Sequence, residues 1–171
     1  AHSGLGDRFC VSVMRNVVQY GPIAVREPTS YEARAELLLT ASMSHNDVTS
    51  IGRCGKQGSG HGLEMQICGT YDTPHGAGMG VVMPAYLDYM IAHGEPHHVA
   101  RAAQFAVDVF DVDPAMGEVE QTAQEGVRRF RAWIRSMGLP LSLKQLGVTH
   151  TSRAVCPHRP TCPFVAGTTP L

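Results

Sequence analysis

The sequence has little charge of either sign, and this limits the partners it can bind. Charged residues make up 17% of its 171 residues, and 14 Lys and Arg against 15 Asp and Glu leave a formal net charge of −1. Proteins that bind nucleic acid or anionic lipid usually present a basic patch or stripe. We therefore expect neither nucleic acid nor a membrane among the partners of this chain.

Long apolar runs and secretion signals are also missing. The longest charge-free run of interest, residues 73–87, contains three glycines and two prolines and is too short to span a bilayer. The opening AHSGLGDR has neither the basic nor the apolar segment of a secretory signal, and there is no initiator Met, so we expect the chain to begin inside a longer protein. An odd number of scattered cysteines predicts reduced thiols and a cytoplasmic setting. They are Cys10, Cys54, Cys68, Cys156 and Cys162.

Helical periodicity is what the sequence has instead, since strand-like alternation is almost absent. A first helix is expected after Asp7 and is predicted to end near Gly21 and Pro22. A capping box, Thr29-x-x-Glu32, predicts a second helix that stops near Gly52. The first helix presents an apolar stripe of Cys10, Val13, Met14, Val17 and Val18, and the second places Ala35, Leu38, Leu39 and Ser42 on one face.

Four more helices complete the expected fold. One covers His61 to Cys68, the next runs from about His75 to Gly94, another is opened by Pro96, and the last, from Val119, closes at Gly138. We therefore predict an all-α bundle of about six or seven helices as one domain over residues 1–148. Residues 149–171 contain four prolines and no periodicity, which predicts an irregular tail.

The stretch HGLEMQICGTYDTPH places His61 and His75 at either end of a predicted helix and turn. Two imidazoles that converge from adjacent helices are suited to a divalent transition metal. The spacing alone is more typical of surface or capping histidines, and a catalytic metal needs three or four protein ligands. Glu64, Asp72 and His45 are candidates to complete a site, and nothing in the pattern selects one of them.

Three stretches together resemble a known family. YEARAELLLTASMSHNDV, GHGLEMQICGTYDTPHGAGMGVVMPAYLDYM and GVRRFRAWIRSMGLPLSLKQLGV are similar to the C-terminal helical domain of the iron-containing alcohol dehydrogenases, particularly the butanol dehydrogenase branch. The resemblance covers residues 7–148 and implies a dehydroquinate synthase-like helical domain. The residues that match the family pattern are His61, Leu63, Glu64, Tyr71, Asp72, His75, Gly76, Ala77, Gly78, Met79, Pro84, Ala85 and Tyr86.

This resemblance implies a metal site and a reaction. His61 and His75 would be two of four ligands of a divalent metal, ferrous iron first and zinc as a substitute. The metal would polarise the oxygen of a small primary alcohol or aldehyde while NAD(P) exchanges hydride with the carbon. The resemblance assigns no catalytic or cofactor-binding residue to this chain, and we expect the full-length parent to be a homo-oligomer.

Two departures from the family pattern qualify the expected activity. The family's other two ligands, an Asp and a His, and its nucleotide-binding domain lie upstream of the matching segment, so this chain alone is expected to be inactive. Met65 stands where the family commonly has a histidine that helps to move protons or contacts the nicotinamide, and a thioether cannot carry a proton. The alternative is a non-enzymatic helical module, either a gene fragment or a metal-binding scaffold.

The remaining conspicuous residues favour structural interpretations. Cys156, His158 and Cys162 lack a fourth ligand and belong to the predicted tail. Asn46 either lines a pocket or terminates its helix, and the pattern leaves both open. Solvated positions are expected for His93, His97, His98, Arg128, Arg129, Arg131 and Arg135, and core positions for Phe130 and Trp133.

Overall fold

Helices account for all the regular structure in the part of the chain that can be described. The computed structural model describes residues 3–52 and 59–148, and within these ranges it contains no strand. The helices are α1 (Gly4–Arg26), α2 (Tyr31–His45), α3 (Ser59–Tyr71), α4 (His75–His93), α5 (Pro96–Phe110) and α6 (Val119–Ser136), with short 3-10 turns at Val48–Ser50 and Pro114–Met116. The prediction of an all-α fold is confirmed. The predicted irregular tail, residues 149–171, lies outside the described residues.

The chain forms two compact units. Of the described residues, the first unit contains 3–52 and 84–139, and the second contains 59–83 and 140–148. The division falls within α4, at Pro84. Among the described helices, none combines the length and the apolar character needed to cross a membrane.

The predicted starts of α5 and α6 agree with the structure because each has a reciprocal cap. At α5 the backbone N–H of Glu95 donates to Nδ1 of His98 at 3.1 Å, and Pro96 occupies the first turn, where its missing N–H costs nothing. At α6 the N–H of Glu118 donates to the Gln121 side chain at 2.9 Å. His98 is therefore a capping residue and not only the solvated histidine that we expected.

The start of α1 differs from the prediction. Ser3 is the N-cap, and its hydroxyl accepts a hydrogen bond from the N–H of Gly6 at 3.1 Å. Asp7, the expected cap, is only 7% exposed and lies inside the helix. Its carboxylate binds the guanidinium of Arg101 on α5 through two contacts of 2.8 and 2.9 Å. Asp7 therefore ties α1 to α5, which local sequence alone does not reveal.

The predicted end of α1 is wrong, because the helix continues through Gly21 and Pro22 to Arg26. Proline has no N–H, so the carbonyl of Val18 loses its usual helical donor. The indole N–H of Trp133, on α6, donates to this carbonyl at 3.1 Å. Gly21 allows the indole to approach, because a Cβ there would lie 3.4 Å from its ring. A distant residue therefore stabilises a helix that the local sequence would end.

The second helix also differs at both ends. Its cap is Ser30 and not Thr29, and the helix ends at His45, before the predicted stop near Gly52. Asn46 is its exposed C-terminal cap, and its side-chain oxygen accepts from the N–H of Val48 at 3.2 Å, as expected for a helix-terminating residue. Along α2 the buried positions are Ala33 and Thr40, so the predicted apolar face does not point into the core. Leu38 is 72% exposed and Leu39 is 54% exposed.

Small residues allow α5 and α6 to approach closely in the first unit. Ala106 is fully buried, and a Cβ added to Gly126 would overlap it. Their neighbours form one apolar cluster with the second half of α4. The buried members are Ile91, Ala102, Ala103, Ala123 and Val127.

The arginines of α6, which were predicted to form a solvated face, also make ion pairs. Arg128 and Arg129 both bind Glu125, and these hydrogen bonds lower the pKa of that carboxyl to about 2. Arg131 binds Asp88 at 2.5 Å. Three of the four arginines therefore take part in ion pairs. Of the expected core aromatics, Trp133 is partly buried beside Gly21, and the partly buried Phe130 packs against the rings of Phe105 and Phe110.

The bond from Trp133 to Val18 can be tested by a double-mutant cycle. Trp133→Phe keeps an aromatic ring but removes the donor, so we expect the free energy of unfolding to fall by about 1 kcal/mol. Pro22→Ala restores the backbone N–H that donates to the carbonyl of Val18. In that background Trp133→Phe should lower the free energy of unfolding much less. Chemical denaturation of the four chains measures the coupling, and equal losses in both backgrounds would contradict our account of α1.

Candidate metal centre

A tight reversal between α3 and α4 determines the geometry of the second unit. The helix α3 ends at Tyr71, and Asp72 adopts a left-handed backbone conformation with φ 50°. Asp tolerates this conformation better than most residues. Pro74 follows, and its carbonyl accepts the N–H of Gly78 at 3.0 Å as α4 begins. The chain therefore passes from the end of α3 at Tyr71 to the start of α4 at His75 through one short turn.

The two histidines that were singled out from the sequence lie side by side. His61 is in the first turn of α3, and His75 is the first residue of α4. Their ring centroids are 4.9 Å apart, and their planes are inclined by 65°. The expected approach of the two rings is therefore observed. The side chain of His75 is 49% exposed, so this ring is accessible from solvent.

Glu64 is the buried acid of this unit. It is fully buried, and its Oε2 lies against Nδ1 of His75. Gly78 makes room for the carboxyl group, because a Cβ at that position would overlap Oε1. Apart from this contact, neither carboxylate oxygen has a hydrogen-bond partner in the described part of the chain. Burial of a carboxylate is costly unless a partner compensates for its desolvation, so Glu64 is placed either to orient the His75 ring or to bind a cation.

The structure therefore distinguishes among the three residues proposed to complete a site. Among the described residues of the second unit, Glu64 lies against His75. Asp72 is exposed in the turn, and His45 is exposed at the end of α2, in the first unit. Met65, at the position where the family commonly has histidine, is 51% exposed.

Cys68 is the neighbour that sequence reasoning did not assign to the site. Its Sγ, a carboxylate oxygen of Glu64 and a ring nitrogen of His75 all lie within 4.8 Å of one another. The available signal was the spacing of Glu64 and Cys68, because residues four apart on a helix share a face. Nitrogen, oxygen and sulfur donors at such distances suit divalent transition metals such as ferrous iron and zinc. The adjacent rings of His61 and His75 offer two imidazole nitrogens, which these metals also accept, so the residues present fit the metal that the resemblance implies.

The helical fold agrees with the comparisons to known proteins. The model of the C-terminal region of the Fe-containing alcohol dehydrogenase family matches residues 1–159. The chain belongs to this family.

Two curated relatives show which proteins it is similar to. It is 27% identical over 142 residues to NADH-dependent butanol dehydrogenase A of Clostridium acetobutylicum, covering 83% of this chain and 35% of that protein. It is 31% identical over 134 residues to a probable NADH-dependent butanol dehydrogenase of Bacillus subtilis, covering 78% of this chain and 33% of that protein. The chain therefore spans about a third of the length of these relatives.

A solved structure supports the fold. The substrate- and cofactor-free form of the aldehyde reductase YqhD from Escherichia coli superimposes with a TM-score of 0.80 at 20% sequence identity. The match covers 91% of this chain and 39% of that one. At this identity the likeness establishes the helical fold and not the chemistry of the site.

The contact between Glu64 and Gly78 predicts a conditional mutational effect. Gly78→Ala should lower the free energy of unfolding by about 1–3 kcal/mol, because the new methyl group displaces the buried carboxyl. In a Glu64→Ala background the same change should become neutral or stabilising, since alanine favours helices over glycine. Gly69→Ala, at a position with open space on α3, is the matched control. Equal losses at Gly78 in both backgrounds, measured by denaturation, would refute this packing.

Proposed function

We propose that this chain is the metal-binding C-terminal part of an NAD(P)-dependent alcohol dehydrogenase or aldehyde reductase, in which His61 and His75 supply two of the metal ligands. The observation that carries the proposal is the approach of the two imidazole rings to 4.9 Å. Membership of the iron-containing alcohol dehydrogenase family supports it. The remaining ligands and the nicotinamide site belong to the part of the relatives' length that this chain does not span.

The proposed substrates are small primary alcohols and the corresponding aldehydes, with ferrous iron as the first choice of metal and zinc as the second. When bound, the metal supplies Lewis-acid polarisation of the substrate oxygen, while the nicotinamide exchanges hydride with the carbon. The names of the curated relatives, butanol dehydrogenases that depend on NADH, support this assignment. The scattered, odd set of five cysteines supports a cytoplasmic enzyme, and we expect the parent to be a homo-oligomer.

The chain's own residues hold and orient the imidazoles. Helices α3 and α4 carry His61 and His75, and the turn at Asp72 brings the two helices together. Half of the His75 side chain is exposed, so a metal and a substrate can reach this face. Met65 follows His61 by one helical turn and cannot transfer a proton, so a proton relay in the parent must use water or another group.

Metal binding by the full 171-residue chain tests the ligand assignment. We expect His61→Ala and His75→Ala each to weaken the binding of zinc, or of ferrous iron without oxygen, roughly tenfold or more, because each removes a nitrogen donor. Isothermal titration calorimetry measures the affinities. His97→Ala is the matched control, because His97 is an exposed histidine of the first unit that contacts Glu95 and the ring of His98. Unchanged affinity in both site variants would contradict the proposal and favour the inactive helical module.

Because the proposed enzyme needs ligands and a nicotinamide site from outside this chain, we predict that the chain has no turnover by itself. With ferrous iron, NADPH and butyraldehyde, the chain alone should not oxidise the cofactor, because its nicotinamide site and two ligands are supplied elsewhere. The absorbance of NADPH follows the reaction. Turnover that depends on added iron and disappears in His75→Ala would refute the requirement for the remaining part.

A further inference from the structure

The two ring nitrogens of His75 lie in different surroundings. Its Nδ1 lies against Oε2 of Glu64, whose side chain is fully buried, whereas the His75 side chain as a whole is 49% exposed. The edge of the ring that carries Nδ1 therefore faces the interior of the second unit. A ring nitrogen that is held by a carboxylate is not free to bind a metal, so Nε2 is the nitrogen that remains for one.

The first turn of α4 surrounds the carboxyl group of Glu64. Oε2 lies against His75, and Oε1 occupies the space that a Cβ of Gly78 would take, three residues later on the same helix. The N-terminal end of a helix carries a partial positive charge, which favours a carboxylate beside it. Apart from the contact with His75, neither oxygen has a hydrogen-bond partner in the described residues. The imidazole can therefore compensate for the burial of this carboxylate, and it does so if Nδ1 carries a hydrogen.

We propose that Glu64 is a positioning residue of the metal centre, which accepts a hydrogen bond from Nδ1–H of His75 and so leaves Nε2 as the nitrogen that binds the metal. The inference rests on the proposed function and deepens it, because it assigns both the binding nitrogen of His75 and the group that holds the ring. A carboxylate behind a ligating imidazole fixes the orientation of the ring and raises the basicity of the opposite nitrogen. Glu64 itself binds no metal and acts through His75.

The reverse arrangement of the hydrogen has a different consequence. An uncharged Glu64 would donate its own hydrogen to Nδ1, so Nε2 would carry the ring hydrogen and could not bind a metal in that state. The two arrangements therefore differ in which nitrogen of His75 is protonated. Long-range nitrogen–proton NMR correlations of the imidazole report this in the metal-free chain, without any measurement of activity.

Glu64→Met is the informative variant, because methionine is similar in volume and suits a helix but accepts hydrogen bonds only weakly. In the full chain without metal we expect Nδ1 of His75 to carry the hydrogen, and His75→Ala identifies the signals by their loss. In Glu64→Met this preference should disappear. The affinity for zinc, measured by calorimetry, should fall roughly tenfold or more. The free energy of unfolding should stay the same or rise, since an apolar group replaces a buried carboxylate.

Glu64→Gln and Asp72→Asn are the two controls. In Glu64→Gln the amide oxygen can still accept from Nδ1, so the affinity for zinc should lie between those of the unchanged chain and of Glu64→Met. Asp72→Asn removes the same charge from the same hairpin, at an exposed position where asparagine also tolerates the left-handed backbone. It should alter neither the position of the His75 hydrogen nor the affinity for zinc.

The outcomes separate this inference from the proposed function. A hydrogen on Nε2 of His75 in the unchanged chain, with none on Nδ1, would overturn the inference and leave the proposed function standing. So would a Glu64→Met chain that binds zinc as tightly as the unchanged chain, or an equal loss of affinity in Asp72→Asn. Unchanged affinity in both His61→Ala and His75→Ala would instead overturn the proposed function, and the role of Glu64 in metal binding with it, wherever the hydrogen lies.

Discussion

The contact between the buried carboxylate of Glu64 and the imidazole of His75 is the constraint around which the second unit is organised. It joins α3 to the first residue of α4, and it requires a glycine at position 78 because any side chain there would occupy the space of the carboxyl group. It also requires the reversed backbone at Asp72. Burial of an acid is costly unless a polar group lies against it, so the contact with the His75 ring is what makes a carboxyl group tolerable at this position.

Helix positions were predictable where the signal is local. The starts of α5 and α6 follow from caps written in adjacent residues, and the start of α4 at His75 follows from the Pro-containing turn before it. The predicted end of α1 failed because the partner that replaces the missing donor of Pro22 is Trp133, which is distant in sequence. The prediction of the buried face of α2 failed for a similar reason, because the neighbouring helix determines which residues of α2 are buried.

The candidate site shows the same division between local and tertiary information. The resemblance identified His61 and His75 by their place in a motif, and a single turn between two helices brings them together. Glu64 was only one of three candidates, because its selection depends on the close approach of α4 at Gly78. Cys68 was not assigned at all, since a cysteine on a helix acquires meaning only when a carboxylate and an imidazole are known to lie beside it.

Among the described residues of the second unit, the candidate metal donors come from a single hairpin between His61 and His75. Assembly of such a centre closes only a short loop, so it costs little chain entropy and involves no pairing between distant segments. The hairpin is therefore a local ligand-binding motif, whose donors are brought together by one turn of the chain. It can therefore reach its ligand-binding arrangement early in folding.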